Sequence, residues 1–404
     1  MLTIITGVIK SSAIYCLHYM CYILPRNKKI WLYSSLAGSF TDNAKYFFLY
    51  AREHHSNIRH IWLTDSVPVI NYLTGKGIEC YHKKSWRGII LSLRAKVFIY
   101  SSYSTDVTNP AYTGGAFLFN LWHGIPLKMV EYDIKKWPLA LLYNPKGLMQ
   151  RIKRFAVNPP ITKKHSAILT TSVQLKQIFS RAFKVSEQNV LIAQYPRVIP
   201  FYWNTAELEN HITSFEDQAL RELLPDIKHF TETWIYMPTW RDGNPQFVSQ
   251  ALSDIRALNE VCQSKQILLL LKMHINTKFN VDISQYSNIR LIHRSIDVYP
   301  LLPLTTTLIT DYSSIFFDYS LLKKRIIFYP YDLASYKSLS RDFYFDYRQI
   351  ISGREVVYSF RELLQHINNP APVNASHTVF TEFITDDNNF EKPVRFVKKA
   401  VGIP

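Results

Sequence analysis

Glycine is scarce in this chain, with 12 in 404 residues, which excludes collagen-like repeats and glycine-rich linkers. Neither a GxxxxGK[ST] loop nor a GxGxxG fingerprint occurs, so the two commonest glycine-built phosphate cradles are missing. The cysteines Cys16, Cys21, Cys80 and Cys262 form no CxxC pair and no cluster with histidine. That excludes a disulfide framework and a zinc site, and they read as reduced, small apolar residues. No DxD pair stands ready to hold a divalent metal against a diphosphate, and no GxSxG elbow or HExxH helix appears. Neither a metal nor a cofactor is expected. Long apolar runs are also lacking. Residues 1–24 are apolar, but the uncharged part, Ser11–Pro25, is shorter than the roughly 20 residues a spanning helix needs. No small-residue cleavage site follows it, which argues against a signal peptide. Residues 1–28 read either as an interfacial helix or as a helix packed on the protein.

What the chain has in quantity is hydrophobic residues (47%), aromatics (14%) and positive charge: 47 Lys and Arg against 31 Asp and Glu, for a net +16. The first figure predicts a folded protein, and the length accommodates two ordinary domains. The charge suits nucleic acid, phosphorylated substrates or acidic lipid, or else a merely solvated basic surface. It is concentrated in residues 134–186, which hold eleven Lys or Arg and no Asp or Glu. Trp137, Leu141, Leu148, Met149, Ile152 and Phe155 are interleaved there, and Pro138, Pro145, Pro159 and Pro160 cut the stretch into short pieces. Cations beside exposed apolar residues suit an anionic membrane surface; the alternative is a solvated face between core helices. No helix-turn-helix, RRM or finger pattern supports nucleic acid as a partner.

Strand and helix signals alternate from Lys29 onward. Ile30–Ser34, Ile58–Leu63, Ala95–Ser101 and Phe117–Trp122 read as strands. Between the first three lie a helix from Thr41 or Asp42 to Glu53 and another over Val67–Gly75. Residues 134–186 break this pattern. A short strand at Val190–Ala193 and a polar helical stretch at Glu207–Leu224 form a connection, and a second alternating unit follows. Its strands are Thr233–Met237, Gln266–Leu271, Ile289–Ile292, Thr307–Thr310 and Arg325–Tyr329. The chain is therefore expected to be α/β, with a membrane-associating segment at 1–28, one doubly wound domain at 29–205 and another at 206–404. The domains are expected to face each other across a cleft. Ligands of such sheets sit beyond the carboxyl ends of the strands.

The polar motifs fall at those ends. Thr310-Asp311-Tyr312-Ser313-Ser314 stands where a buried strand gives way to a helix. Asp311 or Ser313 can cap that helix and leave N–H groups for a phosphate, or the motif is a plain cap. Ser314 and Asp318, four apart, share another helical face. Thr239, Trp240 and Arg241 follow one strand, and Lys272 and His274 follow another, pointing the same way if the strand persists. Cations and a helix N-terminus together suit a diphosphate. Trp122-His123-Gly124-Ile125-Pro126 closes the fourth strand; His123 is either a base for an acceptor hydroxyl or a structural histidine.

These motifs, WHGIP, MPTWR (Met237–Arg241), KMH (Lys272–His274), TDYSSIFFD (Thr310–Asp318) and RDFYFDY (Arg341–Tyr347), stand in the order found in the CDP-glycerol glycerophosphotransferase family, which this sequence resembles from about residue 30 to about residue 350. GSFTDNAKYFFLY (Gly38–Tyr50) is similar too. The family makes teichoic acids and related capsule polymers. The resemblance implies a GT-B fold, peripheral attachment to the cytoplasmic face of a bacterial cell membrane, and transfer of glycerol phosphate from CDP-glycerol to a lipid-linked or polymeric acceptor. It implies that His123 is the base and that Trp122, Gly124, Ile125 and Pro126 line the donor. Thr239, Trp240, Arg241, Lys272 and His274 would surround the pyrophosphate and nucleotide, with His274 aiding CMP departure. Ser313, Ser314 and Asp318 would hold the phosphates and polyol, with Asp311 beside them. Arg197 reaches the donor in this picture, although Val198-Ile199-Pro200 replaces the usual polar pair after Pro196-Arg197. Ile351–Arg354 replaces the usual glycine-proline, which leaves CDP-ribitol open beside CDP-glycerol. A nucleotide-sugar transferase of the same fold and a nucleic-acid-binding protein are the rival readings.

Overall fold

The computed structural model of the protein describes residues 2–136, 139–241, 244, 247–274, 277, 281–293, 296–339, 342–369, 380–385 and 388–404. Trp137, Pro138 and Arg341, named above, lie outside the described residues. The chain forms two units. The first comprises Met1–Ile125, Val130–Ile199 and Glu382–Pro404, and the second comprises Pro126–Met129 and Pro200–Thr381.

The first unit is built on seven strands: β1 (Asn27–Ser34), β2 (Arg59–Thr64), β3 (Cys80–His82), β4 (Ala95–Tyr100), β5 (Phe117–Asn120), β6 (Ala167–Thr170) and β7 (Val190–Ile192). They lie in the order β3-β2-β1-β4-β5-β6-β7 and every pairing is parallel. Such a sheet is covered on both faces, so its strands are apolar almost throughout. Trp31, Leu32, Tyr33, Val97, Phe98 and Ile99 are all completely buried. Residues 134–186 do not interrupt the α/β pattern as expected: their second half supplies β6 and the helix Val173–Phe183.

The second unit repeats the plan with β8 (Glu232–Met237), β9 (Ile267–Lys272), β10 (Ile289–Ile292), β11 (Thr307–Thr310), β12 (Arg325–Phe328) and β13 (Glu355–Val356). The order is β10-β9-β8-β11-β12-β13, again wholly parallel. In both sheets the connections reverse direction beside the first strand of the unit, between β1 and β4 and between β8 and β11. This is the doubly wound plan, and its ligand position is the crevice at the reversal.

The unit boundaries differ from a simple split near residue 205. Residues 126–129 belong to the second unit, where Lys128 bridges to Phe343, Met129 N–H donates to Asp342 O (2.7 Å) and Tyr344 N–H donates to Leu127 O (2.8 Å). The chain end returns to the first unit. Thr171 Oγ1 donates to Phe383 O (2.6 Å), His55 Nε2 meets Glu391 Oε2 (2.8 Å) and Phe396 packs 5.6 Å from Phe119. The terminal helix Glu391–Val401 buries Val394, Val397 and Val401 there. An apolar stripe at helical spacing tells that a helix needs a core but not which one.

The N-terminal helix, Leu2–Met20, docks on the first unit by one side. A Cβ at Gly7 would meet Ala156 O at 2.8 Å and one at Gly114 would meet His18 O at 1.8 Å, so glycine is needed for both approaches. Ser11 Oγ donates to Phe155 O (2.7 Å), and His18 Nδ1 lies 3.2 Å from Pro110 O. Beyond the helix, Arg26 donates to four carbonyl oxygens, those of Gly114, Ser92, Ala95 and Tyr112, at 2.6–3.0 Å. The opposite side exposes Leu2, Ile5, Ile9, Leu17, Tyr19 and Met20. By length and composition alone, Leu2–Ile23 (mean hydropathy 1.2) is long and apolar enough to cross a membrane. Counting only the uncharged run understates this, because Lys10 lies within the helix.

In the second unit an ion cluster ties three strand ends together. Arg241, after β8, donates from Nη2 to Asp311 Oδ2 after β11 (2.8 Å) and from Nε to Asp332 Oδ2 after β12 (2.6 Å). Asp311 is fully buried and Arg241 nearly so. Tyr312 and Tyr336, stacked 3.8 Å apart, flank the guanidinium. Burial alone would lower the Arg241 pKa, but the two carboxylates more than reverse that and hold it above its ordinary value. Removing the guanidinium strands a buried carboxylate. Arg241→Met is therefore expected to destabilise the second unit by about 3–5 kcal/mol in urea unfolding. Adding Asp311→Asn should cost less than the sum of the two single changes, because they break one network. Strict additivity would contradict the assignment.

Candidate functional site

In the first unit the site is a turn. β5 ends at Asn120, level with Tyr100 at the end of β4, and Leu121 N–H still donates to Tyr100 O (2.8 Å). Trp122 then takes φ +54°, a left-handed conformation that a bulky residue rarely adopts. Strain of this kind costs about 1–3 kcal/mol and persists only where neighbours fix it. Here they do. Asn120 Oδ1 accepts from Trp122 N–H (2.8 Å) while its amide donates to Ser102 O (3.0 Å). Asn43 Nδ2 donates to Trp122 O (2.9 Å), and Asn43 Oδ1 accepts from Arg197 N–H (3.1 Å). The Trp122 ring is buried against Phe183, 4.5 Å away.

The strained turn places His123 beside the end of β4, where its Nδ1 lies 3.0 Å from Ser101 O. A carbonyl only accepts, so in the neutral ring Nδ1 carries the proton and Nε2 carries the basic lone pair. Arg197 Nη1 donates to His123 O (2.8 Å) and to Asp42 Oδ1 (3.2 Å), fixing the backbone at that residue. The surrounding protein lowers the imidazole pKa from 6.5 by desolvation; Asp42 and the Ser101 contact oppose this, and Arg197 reinforces it. The ring keeps solvent access, so it is reachable by a substrate and neutral above that value. Gly124, with φ +132°, then lets the chain leave the turn, and Ile125 and Pro126 are buried.

In the second unit the motif residues separate into two groups. Asp311 and Arg241, expected to meet a ligand directly, point inward and meet each other. Asp311 Oδ1 also accepts from Thr239 N–H (2.8 Å). Asp318 is buried as well, with Tyr299 Oη donating to its Oδ2 (2.8 Å). Lys272 Nζ donates to His293 O (2.8 Å) and Ile296 O (2.7 Å), so its ammonium organises the loop after β10. Burial lowers its pKa to about 8, against an opposing pull from Asp297. The second group remains accessible. Ser313 and Ser314 are half-buried at the start of the helix Ile315–Ser320, whose first residues no side chain of Ser314 caps. Trp240 and His274 stack with centroids 6.0 Å apart, His274 being exposed. The Thr239 hydroxyl is buried with no hydrogen-bond partner among the described residues.

Several residues that build these sites were read only as caps or not at all. Asp42 and Asn43 look like a helix start in sequence, and Asn120 like the last residue of a strand. Asp332 follows β12 in the same strand-end position as the residues singled out after β8, β9 and β11, and that position was the available signal. Among the described residues no group of three or more His, Cys, Asp or Glu is placed to hold a metal ion.

Comparison with known proteins agrees with this plan. The family profile of CDP-glycerol:poly(glycerophosphate) glycerophosphotransferases matches residues 16–386. The teichoic acid glycerol-phosphate transferase of Staphylococcus aureus (strain NCTC 8325 / PS 47) is 27% identical over 356 residues, covering 82% of this chain and 81% of that protein. The teichoic acid ribitol-phosphate primase of Bacillus spizizenii is 26% identical over 234 residues, 58% of this chain and 56% of that one. Among solved structures, the wall teichoic acid polymerase TagF superposes with a TM-score of 0.72 at 22% identity, over 93% of this chain and 90% of that chain. A variant of TagF soaked with CDPG gives 0.71. The fold is of the same GT-B type, with two parallel-sheet units, and the chain belongs to the CDP-glycerol:poly(glycerophosphate) glycerophosphotransferase family of enzymes.

Proposed function

We propose that this enzyme transfers glycerol phosphate from CDP-glycerol to a hydroxyl of a lipid-linked or polymeric acceptor and releases CMP. The observation that carries the reading is the Ser101–His123 contact, which leaves His123 Nε2 as a neutral, accessible base. In the reaction, Nε2 takes the proton of the acceptor hydroxyl. The acceptor oxygen forms a bond to the phosphorus bearing glycerol, and the bond from that phosphorus to the bridging oxygen breaks. The electron pair leaves with CMP. General-base help of this kind contributes roughly 10²–10⁴-fold, and most of the remaining rate comes from positioning and charge stabilisation.

The donor cradle is assigned to the reversal point of the second sheet. Ser313 and Ser314, half-buried at the end of β11, offer hydroxyls to phosphate oxygens. The stacked Trp240–His274 pair offers a ring surface and, at His274, a group able to stabilise departing CMP. Arg241, Asp311 and Lys272 act through position: they hold the three strand ends from which those groups project. Arg197 likewise acts through position, by holding the His123 backbone in the first unit.

A membrane surface is the proposed place of action, on the cytoplasmic side. Its support is one continuous pairing: the N-terminal helix packs on the helix Leu148–Val157, which buries no residue of its own. That second helix exposes Leu148, Met149, Ile152 and Val157 beside Arg151 and Lys153. Apolar side chains flanked by cations are what an anionic bilayer surface binds.

Four outcomes are expected. His123→Ala should lose at least about 100-fold in kcat with little change in donor affinity, because a base acts mainly in the transition state. The wild-type rate should fall in acid through a pKa below 6.5; a rate that instead falls in acid through a pKa above 6.5 would contradict the assignment. Offered CDP-glycerol, CDP-ribitol and UDP-sugars separately with an acceptor oligomer, the enzyme should turn over CDP-glycerol and release CMP. Turnover of CDP-ribitol alone would correct the polyol, and release of a nucleoside diphosphate would overturn phosphate transfer. Finally, Arg151→Glu with Lys153→Glu should weaken cosedimentation with anionic vesicles, whereas unchanged partitioning would remove the membrane assignment.

A further inference from the structure

A cavity of about 250 Å³ opens in the first unit between the N-terminal helix and the segment 160–165, closed at its far side by Phe183 and Lys184. Its walls are unlike the rest of the fold. Lys163, Lys164 and Lys184 bring three ammonium groups to it, and Tyr15, Tyr19 and Tyr132 bring phenol rings. Lys184 Nζ rests 3.7 Å above the Tyr132 ring and Lys163 Nζ 3.2 Å above the Tyr103 ring, so aromatic faces hold the cations in place. The cations are unequal in their commitments. Lys163 Nζ lies 3.7 Å from the Glu131 carboxylate, while Lys164 donates to the neutral Tyr22 hydroxyl (3.2 Å). Lys164 and Lys184 are both exposed.

His165 lines the same cavity and is more than nine-tenths buried. Its Nδ1 is paired with Tyr100 Oη at 2.9 Å, and burial keeps the ring neutral, with a pKa of about 3. The charge at the cavity is therefore that of the lysines, and among the described residues Lys164 and Lys184 meet a phenol and an aromatic face but no carboxylate. A ligand that carries negative charge and accepts hydrogen bonds would satisfy both ammonium groups.

We infer that this cavity binds the phosphate headgroup of a membrane lipid. Phosphate supplies several acceptor oxygens and the charge that Lys164 and Lys184 face. The lipid source follows from position: one wall is the N-terminal helix, whose outer side exposes Ile9, Leu17, Tyr19 and Met20, so an acyl chain has an apolar path away from the headgroup. The inference rests on the membrane reading above and adds to it a specific headgroup site.

The test uses the full chain and phosphatidylcholine vesicles carrying either phosphatidic acid or a fatty acid at equal surface charge. Wild type should bind the phosphatidic acid vesicles about tenfold more tightly than the fatty acid vesicles. Lys164→Gln with Lys184→Gln should abolish that preference while leaving binding to fatty acid vesicles within about twofold of wild type. Arg151→Gln with Lys153→Gln removes the same charge outside the cavity and should weaken binding to both vesicles alike, keeping the preference. Equal behaviour of the two double variants would overturn the cavity and leave the membrane reading intact, whereas no vesicle binding by wild type would defeat that reading itself. Stabilisation of wild type by inorganic phosphate alone, lost in Lys164→Gln with Lys184→Gln and without any vesicle preference, would reassign the site to free phosphate and overturn the lipid.

Discussion

The first unit depends on one constraint: the chain must leave the sheet after β5 with its backbone groups paired. Asn43 and Asn120 meet it by supplying side-chain amides where the backbone has run out of strand partners. Trp122 is held there in a left-handed conformation, and burial of its ring against Phe183 offsets the strain. From this follows the position of His123, since a residue after a fixed turn has little freedom left. The Ser101 carbonyl then selects its tautomer, and Arg197 secures its backbone from the far end of the unit's sequence. A rigid, neutral and accessible imidazole is thus a consequence of how this strand ends.

The second unit meets the same problem differently. Three of its strands end in residues of opposite charge, and Arg241 joins them through Asp311 and Asp332. The ion cluster fixes the strand ends beside Thr239, Ser313 and Ser314. Lys272 plays a comparable part for the loop after β10.

Much of the architecture was legible in the sequence because parallel strands buried on both faces are nearly continuous apolar runs, and those runs are long in β1, β4, β8 and β9. β3 and β13, of three and two residues, carry too little pattern to be seen. β6 was hidden because three apolar residues and a threonine inside a basic stretch look like part of that stretch. The motif positions were legible as strand ends, but the direction each side chain takes was not. Asp311 and Arg241 read as a carboxylate and a cation at a binding site, and only their mutual distance shows that each is the other's partner. Asn43 was invisible for the opposite reason, since its partners are carbonyls of residues 121 and 122, and backbone atoms leave no mark on a sequence. The return of residues 382–404 to the first unit is a long-range choice of core that local pattern does not encode.

The central claim is that Ser101 fixes the proton of His123 on Nδ1 and leaves Nε2 basic. Nitrogen-15 NMR of histidine-labelled protein, with His123→Gln used to assign the signal, reports it directly. The account predicts a neutral ring protonated at Nδ1 at pH 7 and titrating below 6.5. A His123 protonated at Nε2, or one still charged at pH 7, would contradict it.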